Sequence, residues 1–285
     1  MIIVRMWEGL GNQMFQYAYA RFLSQTGQQV YLDLNKTYDE FFDRDKRQSN
    51  REVMIHNFNI LLGSVNIENR KRYKYLKRHT LADRLIFDMA KRGRWFYNFW
   101  DENDAEDSFV AKGNCYVKGW FQEPFYCDNI REILLREFTP KKKIRITPKL
   151  RYFIHNKQTV SVHIRRTDYE AIHNTLGWEY YEKAFSKIEE SYKDPVYVVF
   201  SDDYLWVKDY MPSKKNVYYI SENEKLMDYE ELLVMSCCSS NIIANSTFSW
   251  WAAWLNKNPD KIVIMPRKWL KGQEKLMKRD WIILG

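Results

Sequence analysis

Disulfide and zinc chemistry have almost nothing to work with in this chain: four cysteines, at 115, 127, 237 and 238, stand in 285 residues. There is no Cys-x-x-Cys pair and no pair of histidines at zinc-ligand spacing, which argues against a zinc module or a disulfide scaffold. Cys237 and Cys238 fall in an apolar helical run, where reduced, buried thiols are expected, and this points to a reducing compartment. No apolar run approaches the length of a membrane span, and Met1–Met6 is broken by Arg5 too early for a secretory leader. The expectation is a cytoplasmic protein that touches a membrane at most peripherally. Glycine is sparse, and Gly9 and Gly11 stand as Gly-x-Gly without the third glycine of a dinucleotide fingerprint. The signatures of the common RNA-binding modules are absent too, so a basic, aromatic-rich composition does not by itself imply nucleic acid.

What is present is apolar, aromatic and basic. A hydrophobic share of 45% in 285 residues is enough to bury one large or two medium cores. The aromatic share is 16%, with 11 Trp and 20 Tyr, and such rings line sugar-binding clefts as well as ordinary cores. The formal net charge is +8, which favours an anionic partner: a nucleotide sugar, a membrane surface or nucleic acid. Much of the excess sits in Arg70–His79 and in Lys141–Arg145.

Along the chain, Ile2–Met6 reads as a strand, and Glu8-Gly-Leu-Gly-Asn-Gln as a tight turn, with Asn12 as N-cap of a helix over Met14–Leu23. Val30–Leu34 reads as the second strand. Asp43-Arg-Asp45 could be taken for a metal-binding Asp-x-Asp, but it lies in a charged segment with no strand before it. Leu81–Lys91 reads as a helix, Asp101–Asp107 as an acidic loop, Val117–Gln122 as a strand and Asn129–Phe138 as a helix with Ile130, Ile133, Leu134 and Phe138 inward. Pro140 and the lysines after it oppose further helix, which makes Thr139–Pro148 the boundary between a first lobe, 1–148, and a second, 149–285.

Beyond that boundary strands and helices alternate: strands at Thr159–Ile164, Val196–Phe200, Val217–Ile220, Asn241–Ala244 and Lys261–Met265, the last closing the series. Strands apolar throughout imply a parallel sheet covered on both faces, a doubly wound α/β domain. In such sheets ligands lie beyond the carboxyl ends of the strands. The first strand runs into Val160-Ser-Val-His-Ile-Arg-Arg-Thr-Asp-Tyr169, and a guanidinium there suits a diphosphate because its planar fork pairs two oxygens at once. Arg165 could equally form an ion pair with Asp168 that staples a loop. Phe200-Ser-Asp-Asp203 puts carboxylates after the next strand, with Asp202 as a partner for a nucleoside and Asp203 as a helix cap. Ala244-Asn-Ser-Thr-Phe-Ser collects hydroxyls at a helix start, where backbone N–H groups and the helix dipole favour an anion.

These stretches carry a resemblance. Gly9–Ala18, Gly119-Trp-Phe-Gln122, Val162–Tyr169, Phe200–Asp203 and Ile243–Leu255, in that order along the chain, are similar to motifs of the bacterial α-1,2-fucosyltransferases. The resemblance implies α/β architecture of the GT-B type, two Rossmann-like lobes with the active site in the cleft between them, the C-terminal one binding GDP-fucose and the last residues able to pack back on the N-terminal one. It implies inverting transfer of L-fucose from GDP-fucose to the 2-hydroxyl of a terminal β-galactoside in a bacterial surface glycan, an acceptor that can be lipid-linked at the inner face of the cytoplasmic membrane. No metal and no cofactor are expected. Donor contacts are expected from Gly11, Asn12, Arg165, Asp202, Asn245, Ser246, Thr247 and Phe248, and catalytic work from Arg165, with His163 or Glu8 as base if the reaction uses one. The chain departs from the family pattern at Glu8 and Thr167, where glycine is usual. A transferase using another GDP-sugar is the nearest alternative. Peripheral contact with an anionic membrane is expected through Arg70–His79, and nucleic acid is not expected as a partner.

Overall fold

A computed structural model describes residues 1–34, 52–65, 98–101, 115–211, 216–270 and 273–285. Asp43, Asp45, the basic segment Arg70–His79, the expected helix Leu81–Lys91 and residues 102–107 of the acidic stretch lie outside these. The chain divides into two compact units, Met1–Thr139 and Pro140–Gly285.

The first unit is built on a five-stranded, wholly parallel sheet. Its strands are β1 (Ile2–Arg5), β2 (Val30–Asp33), β3 (Ser64–Val65), β4 (Asn98–Asp101) and β5 (Cys115–Lys118), in spatial order β3-β2-β1-β5-β4. Among the described residues its α-helices are α1 (Leu10–Ser24), α2 (Pro124–Asp128) and α3 (Arg131–Glu137). Helix α1 starts earlier than its apolar periodicity announces. Gly9, in extended conformation, is the N-cap, and Asn12 lies inside the first turn, so Asn12 is not the cap that its residue type suggested. The expected helix over Asn129–Phe138 is two short ones; Ile130, Leu134 and Phe138 are buried as expected, whereas Ile133 is half-buried. Expected strand Val117–Gln122 stops at Lys118, because the residues after it leave the sheet edge and Phe121 takes a left-handed φ of 49°.

The second unit carries a six-stranded parallel sheet, in order β11-β10-β9-β6-β7-β8. Its elements are α4 (Pro148–Asn156), β6 (Thr159–Ile164), α5 (Thr167–Glu170), α6 (Trp178–Glu189), β7 (Val196–Ser201), α7 (Tyr204–Tyr210), β8 (Val217–Tyr219), α8 (Ile220–Asn223), α9 (Asp228–Ser236), β9 (Ser240–Ile242), α10 (Thr247–Leu255), β10 (Val263–Pro266) and β11 (Ile282–Leu284). Every residue of β6 is buried, as a central strand covered on both faces requires. Trp250, Trp251 and Trp254 of α10 are almost wholly buried and supply the largest side chains of this core. Lys261–Met265 does not close the series: β11 pairs in parallel with β10, so the last residues complete the sheet of their own unit. Cys238 is buried, but Cys237, the C-cap of α9, reaches the surface because the helix has ended there.

The segment 140–148 groups with the second unit, nine residues that fall in the first lobe as the sequence divides it. Thr147 shows why. Its hydroxyl accepts from Leu150 N as the N-cap of α4, with Pro148 at the first helical position, and donates to Glu224 at 2.6 Å. Glu224 also accepts from the Thr147 N–H at 3.1 Å and the Tyr218 hydroxyl at 2.6 Å.

Candidate active site

A parallel sheet leaves a crevice at its carboxyl edge where two neighbouring strands send their following connections in opposite directions. In the second unit the chain runs from β6 outward through β7 to β8 and then returns to the other side of β6 as β9, so the crevice lies between β6 and β9. The residues after β6 are Arg165–Tyr169, and those after β9 are Ala244–Phe248. The two segments meet: the Tyr169 hydroxyl donates to Asn245 O at 3.1 Å, and the His163 and Phe248 rings lie 5.5 Å apart.

Arg165 is the charged centre of this edge. Its guanidinium donates to Asp168 at 2.6 Å and lies 3.1 Å from Asp202, with the side chain 17% exposed. Burial works against its charge, but the Asp168 hydrogen bond and both carboxylates outweigh it and hold its pKa above the ordinary arginine value. The Arg165–Asp168 pair allowed by the sequence is therefore formed.

Asp202 is more heavily used than a free nucleoside ligand would be. It accepts from the Arg166 N–H at 2.9 Å and the Thr167 hydroxyl at 2.7 Å while facing Arg165. Thr167 thus replaces glycine's freedom with an anchor for Asp202. Asp203 caps α7 by accepting from Trp206 N at 3.1 Å and also pairs with Arg166 at 3.2 Å. Arg166 further pairs with Glu170 and lies over the Trp206 ring at 4.0 Å, so it is tied to α5 and α7, whereas Arg165 lies over the ring of Tyr169, the residue that reaches Asn245.

His163 is buried, and its Nδ1 has no hydrogen-bond partner. Burial, and then the Arg165 charge, lowers its pKa to about 3, so the imidazole is neutral at physiological pH. Asn245 is buried; its Nδ2 donates to Asn174 O at 2.9 Å, and its Oδ1 has no partner. Ser246 is the extended N-cap of α10, yet its hydroxyl does not cap the helix. Ser246 and the turn Thr247–Phe248 therefore present the helix start to the crevice.

The first unit repeats the arrangement. Its chain passes from β1 to β2 and β3 and returns beyond β1 as β4 and β5, which opens a crevice between β1 and β5. Glu8 follows β1, and Trp120 and Gln122 follow β5. Glu8 accepts from Asn12 Nδ2 at 2.5 Å and from the Trp120 indole at 2.8 Å, while Gln122 donates to Asn12 Oδ1 at 2.8 Å. Glu8 holds a left-handed φ of 63°, a conformation that costs a residue with a Cβ and suits the usual glycine. Gln13 stabilises that turn: it donates to Glu8 O at 2.7 Å and Glu52 O at 2.9 Å and accepts from the Met54 N–H at 2.8 Å. Gly11 is buried in the first turn of α1, behind this network.

The model of one protein family, described as "Glycosyl transferase family 11", matches residues 1–284. This chain belongs to glycosyl transferase family 11. Relatives agree. The O-antigen biosynthesis glycosyltransferase WbnK of Escherichia coli is 34% identical over 97% of this chain and 98% of its own. The α-1,2-colitosyltransferase of Escherichia coli is 29% identical over 96% and 93%. Among solved structures, the fucosyltransferase NodZ from Bradyrhizobium is 14% identical and overlays with a TM-score of 0.46 across 88% of this chain and 91% of that one, a likeness too loose to bear on the site. The family 11 chain is accordingly a glycosyltransferase, from the family of the α-1,2-fucosyltransferases.

Of the expected site residues, the structure groups His163, Arg165, Asp202, Asn245, Ser246, Thr247 and Phe248 around the second unit's crevice. It groups Glu8, Gly11 and Asn12 around that of the first. Sequence reasoning missed Gln13, Trp120 and Gln122 as members of these networks. The signal for Trp120 and Gln122 was their place directly after a buried strand; the partner of Tyr169 had none, because it is a backbone carbonyl 76 residues away.

Proposed function

We propose that this glycosyltransferase moves L-fucose from GDP-fucose to the 2-hydroxyl of a terminal β-galactoside, with inversion, in building a bacterial surface glycan such as O-antigen. One observation carries the reading: a single crevice of the second unit collects Arg165, the neutral His163 and the start of α10. A nucleoside diphosphate leaving group needs this chemistry. As the bond from the anomeric carbon to the β-phosphate oxygen breaks, negative charge grows on the diphosphate. Arg165 and the Ser246–Phe248 N–H groups are placed to receive it. The acceptor 2-oxygen forms the new bond at the opposite face of the sugar, and its proton leaves.

His163 is poorly suited to take that proton, since a base with a pKa near 3 has little driving force at neutral pH. Its unpartnered Nδ1 fits a hydrogen bond to the donor instead. Glu8, whose carboxylate is set by Asn12 and Trp120, is the better candidate if a base is used. Neither the donor contacts nor the base requires a metal in this mechanism, because the arginine and the helix start supply the positive charge. Transfer of another sugar in the same linkage is the second reading, favoured by the relative named for colitose.

Mass spectrometry of reactions with GDP-fucose and a panel of β-galactosides, with and without EDTA, tests the proposal. The expected product is one deoxyhexose heavier, is cleaved by an α-1,2-fucosidase, and forms equally in EDTA. GDP binding without product from any galactoside would retain the donor site and overturn the sugar or the acceptor. Absence of GDP binding by folded protein would overturn the role of Arg165 and α10.

A further inference from the structure

From Pro140 to Gln158 the chain carries Lys141, Lys142, Lys143, Arg145, Lys149, Arg151 and Lys157 and no acidic residue. All seven cations are exposed, and none forms an ion pair among the described residues. Glu224, the carboxylate hydrogen-bonded into this segment, is occupied by Thr147 and Tyr218 rather than by any of these cations. Lys187 and Lys208 of the same unit are, by contrast, each paired with a neighbouring carboxylate, Glu190 and Glu222. This stretch is therefore a concentrated positive surface, and no carboxylate among the described residues pairs with its cations.

Helix α4 adds an apolar element. Only Leu150 is fully buried, while Lys149, Arg151, Tyr152 and His155 are exposed, and the Tyr152 ring is 53% exposed among them. A half-exposed phenol on a helix that also bears exposed cations suits an interface that is charged outside and apolar just beneath, because the ring enters the apolar layer while its hydroxyl stays wet.

We infer that the face formed by 140–157, with Tyr152 at its centre, docks on an anionic lipid bilayer. The composition favours lipid over a structured polyanion. Five of the seven cations are lysines, flexible point charges that suit a smeared layer of headgroups, whereas fixed phosphates are gripped better by arginine forks. This inference is independent of the sugar that the enzyme transfers.

Co-sedimentation with vesicles of phosphatidylglycerol and of phosphatidylcholine at about 0.1 M salt tests it. Wild type is expected to bind the first and not the second. The quadruple variant Lys141→Gln, Lys142→Gln, Lys143→Gln, Arg151→Gln is expected to bind the anionic vesicles on the order of several hundredfold more weakly, since it removes four cations that each strengthen binding about fivefold. A control with Lys183→Gln, Lys193→Gln, Lys225→Gln and Lys257→Gln, exposed cations outside the segment, is expected to bind as wild type does. Circular dichroism establishes that both variants are folded, and transfer to a water-soluble acceptor is expected to be unchanged in both. Equal binding to the two lipids, or full retention by the first variant, would overturn the inference. So would displacement of wild type from vesicles by a homopolymeric RNA added at equal charge, which would move the surface to nucleic acid.

Discussion

Arg165 and Arg166 are neighbours in sequence with different duties, and the difference lies in what each touches. Arg166 is consumed by Asp203, Glu170 and the Trp206 ring. Arg165 is held by Asp168 and Asp202 at the crevice, where a diphosphate would compete for its fork. Lysine keeps the charge but loses the bidentate geometry. Arg165→Lys is therefore expected to lower kcat by on the order of a hundredfold to a thousandfold while the far-ultraviolet spectrum stays native. Turnover within a few fold of wild type would remove Arg165 from the reaction. The sequence already showed the chemical type of this residue and its place after a buried strand. It did not show that Asp202 is saturated by Arg165, the Arg166 N–H and the Thr167 hydroxyl, because those contacts join segments 35 and more residues apart.

At the scale of elements, α1 and α3 are joined by a buried carboxylate. Glu137, 4% exposed, accepts from Arg21 Nε at 2.9 Å and from the Tyr17 hydroxyl, which in turn accepts from Leu61 N at 3.1 Å. Burial, reinforced by Glu137, raises the pKa of Tyr17, so the phenol stays protonated and remains a donor. Removing the carboxylate strands a buried hydroxyl and a mostly buried guanidinium. Glu137→Ala is expected to destabilise the protein by about 3 kcal/mol, read from the urea midpoint at unchanged slope. Helical periodicity marked Leu134 and Phe138 of this element as core. That periodicity does not single out Glu137 between them, since a carboxylate's burial depends on partners that only packing supplies.

For the whole molecule, His163 gives stability a pH dependence with a defined sign. Its pKa falls from 6.5 to about 3 on folding, so the unfolded chain binds its proton more readily. Its contribution is complete above about pH 6.5 and is lost as pH falls toward 3, amounting to about 2 kcal/mol by pH 5. Glu231 acts in the opposite sense: burial, and then Asp228, raises it to about 7, so its contribution is present below its ordinary value of 4.5 and lost as pH rises toward 7. The two partly offset each other in any single melting curve. The informative measurement is the difference between wild type and His163→Gln in chemical denaturation from pH 7 to pH 5. That difference is expected to shrink with acidification, and a difference independent of pH would mean that His163 does not stay neutral in the fold.

Strand order separates what was legible in the residues from what was not. Apolar runs bounded by turn residues are local properties, and they sufficed for the parallel α/β class, most strands of the second unit and the positions of Arg165 and Ser246 at strand ends. Order within a sheet is a long-range property. That β9 returns beside β6, and β5 beside β1, follows from which strand edges hydrogen-bond to one another across long stretches of chain, and no local pattern encodes it. Only this return brings Asn245–Phe248 to His163, and Trp120 to Glu8, because each crevice exists where two connections diverge. The amino-acid sequence by itself determined the chemical groups and the strand ends that carry them; the tertiary structure alone decided which of those ends are neighbours.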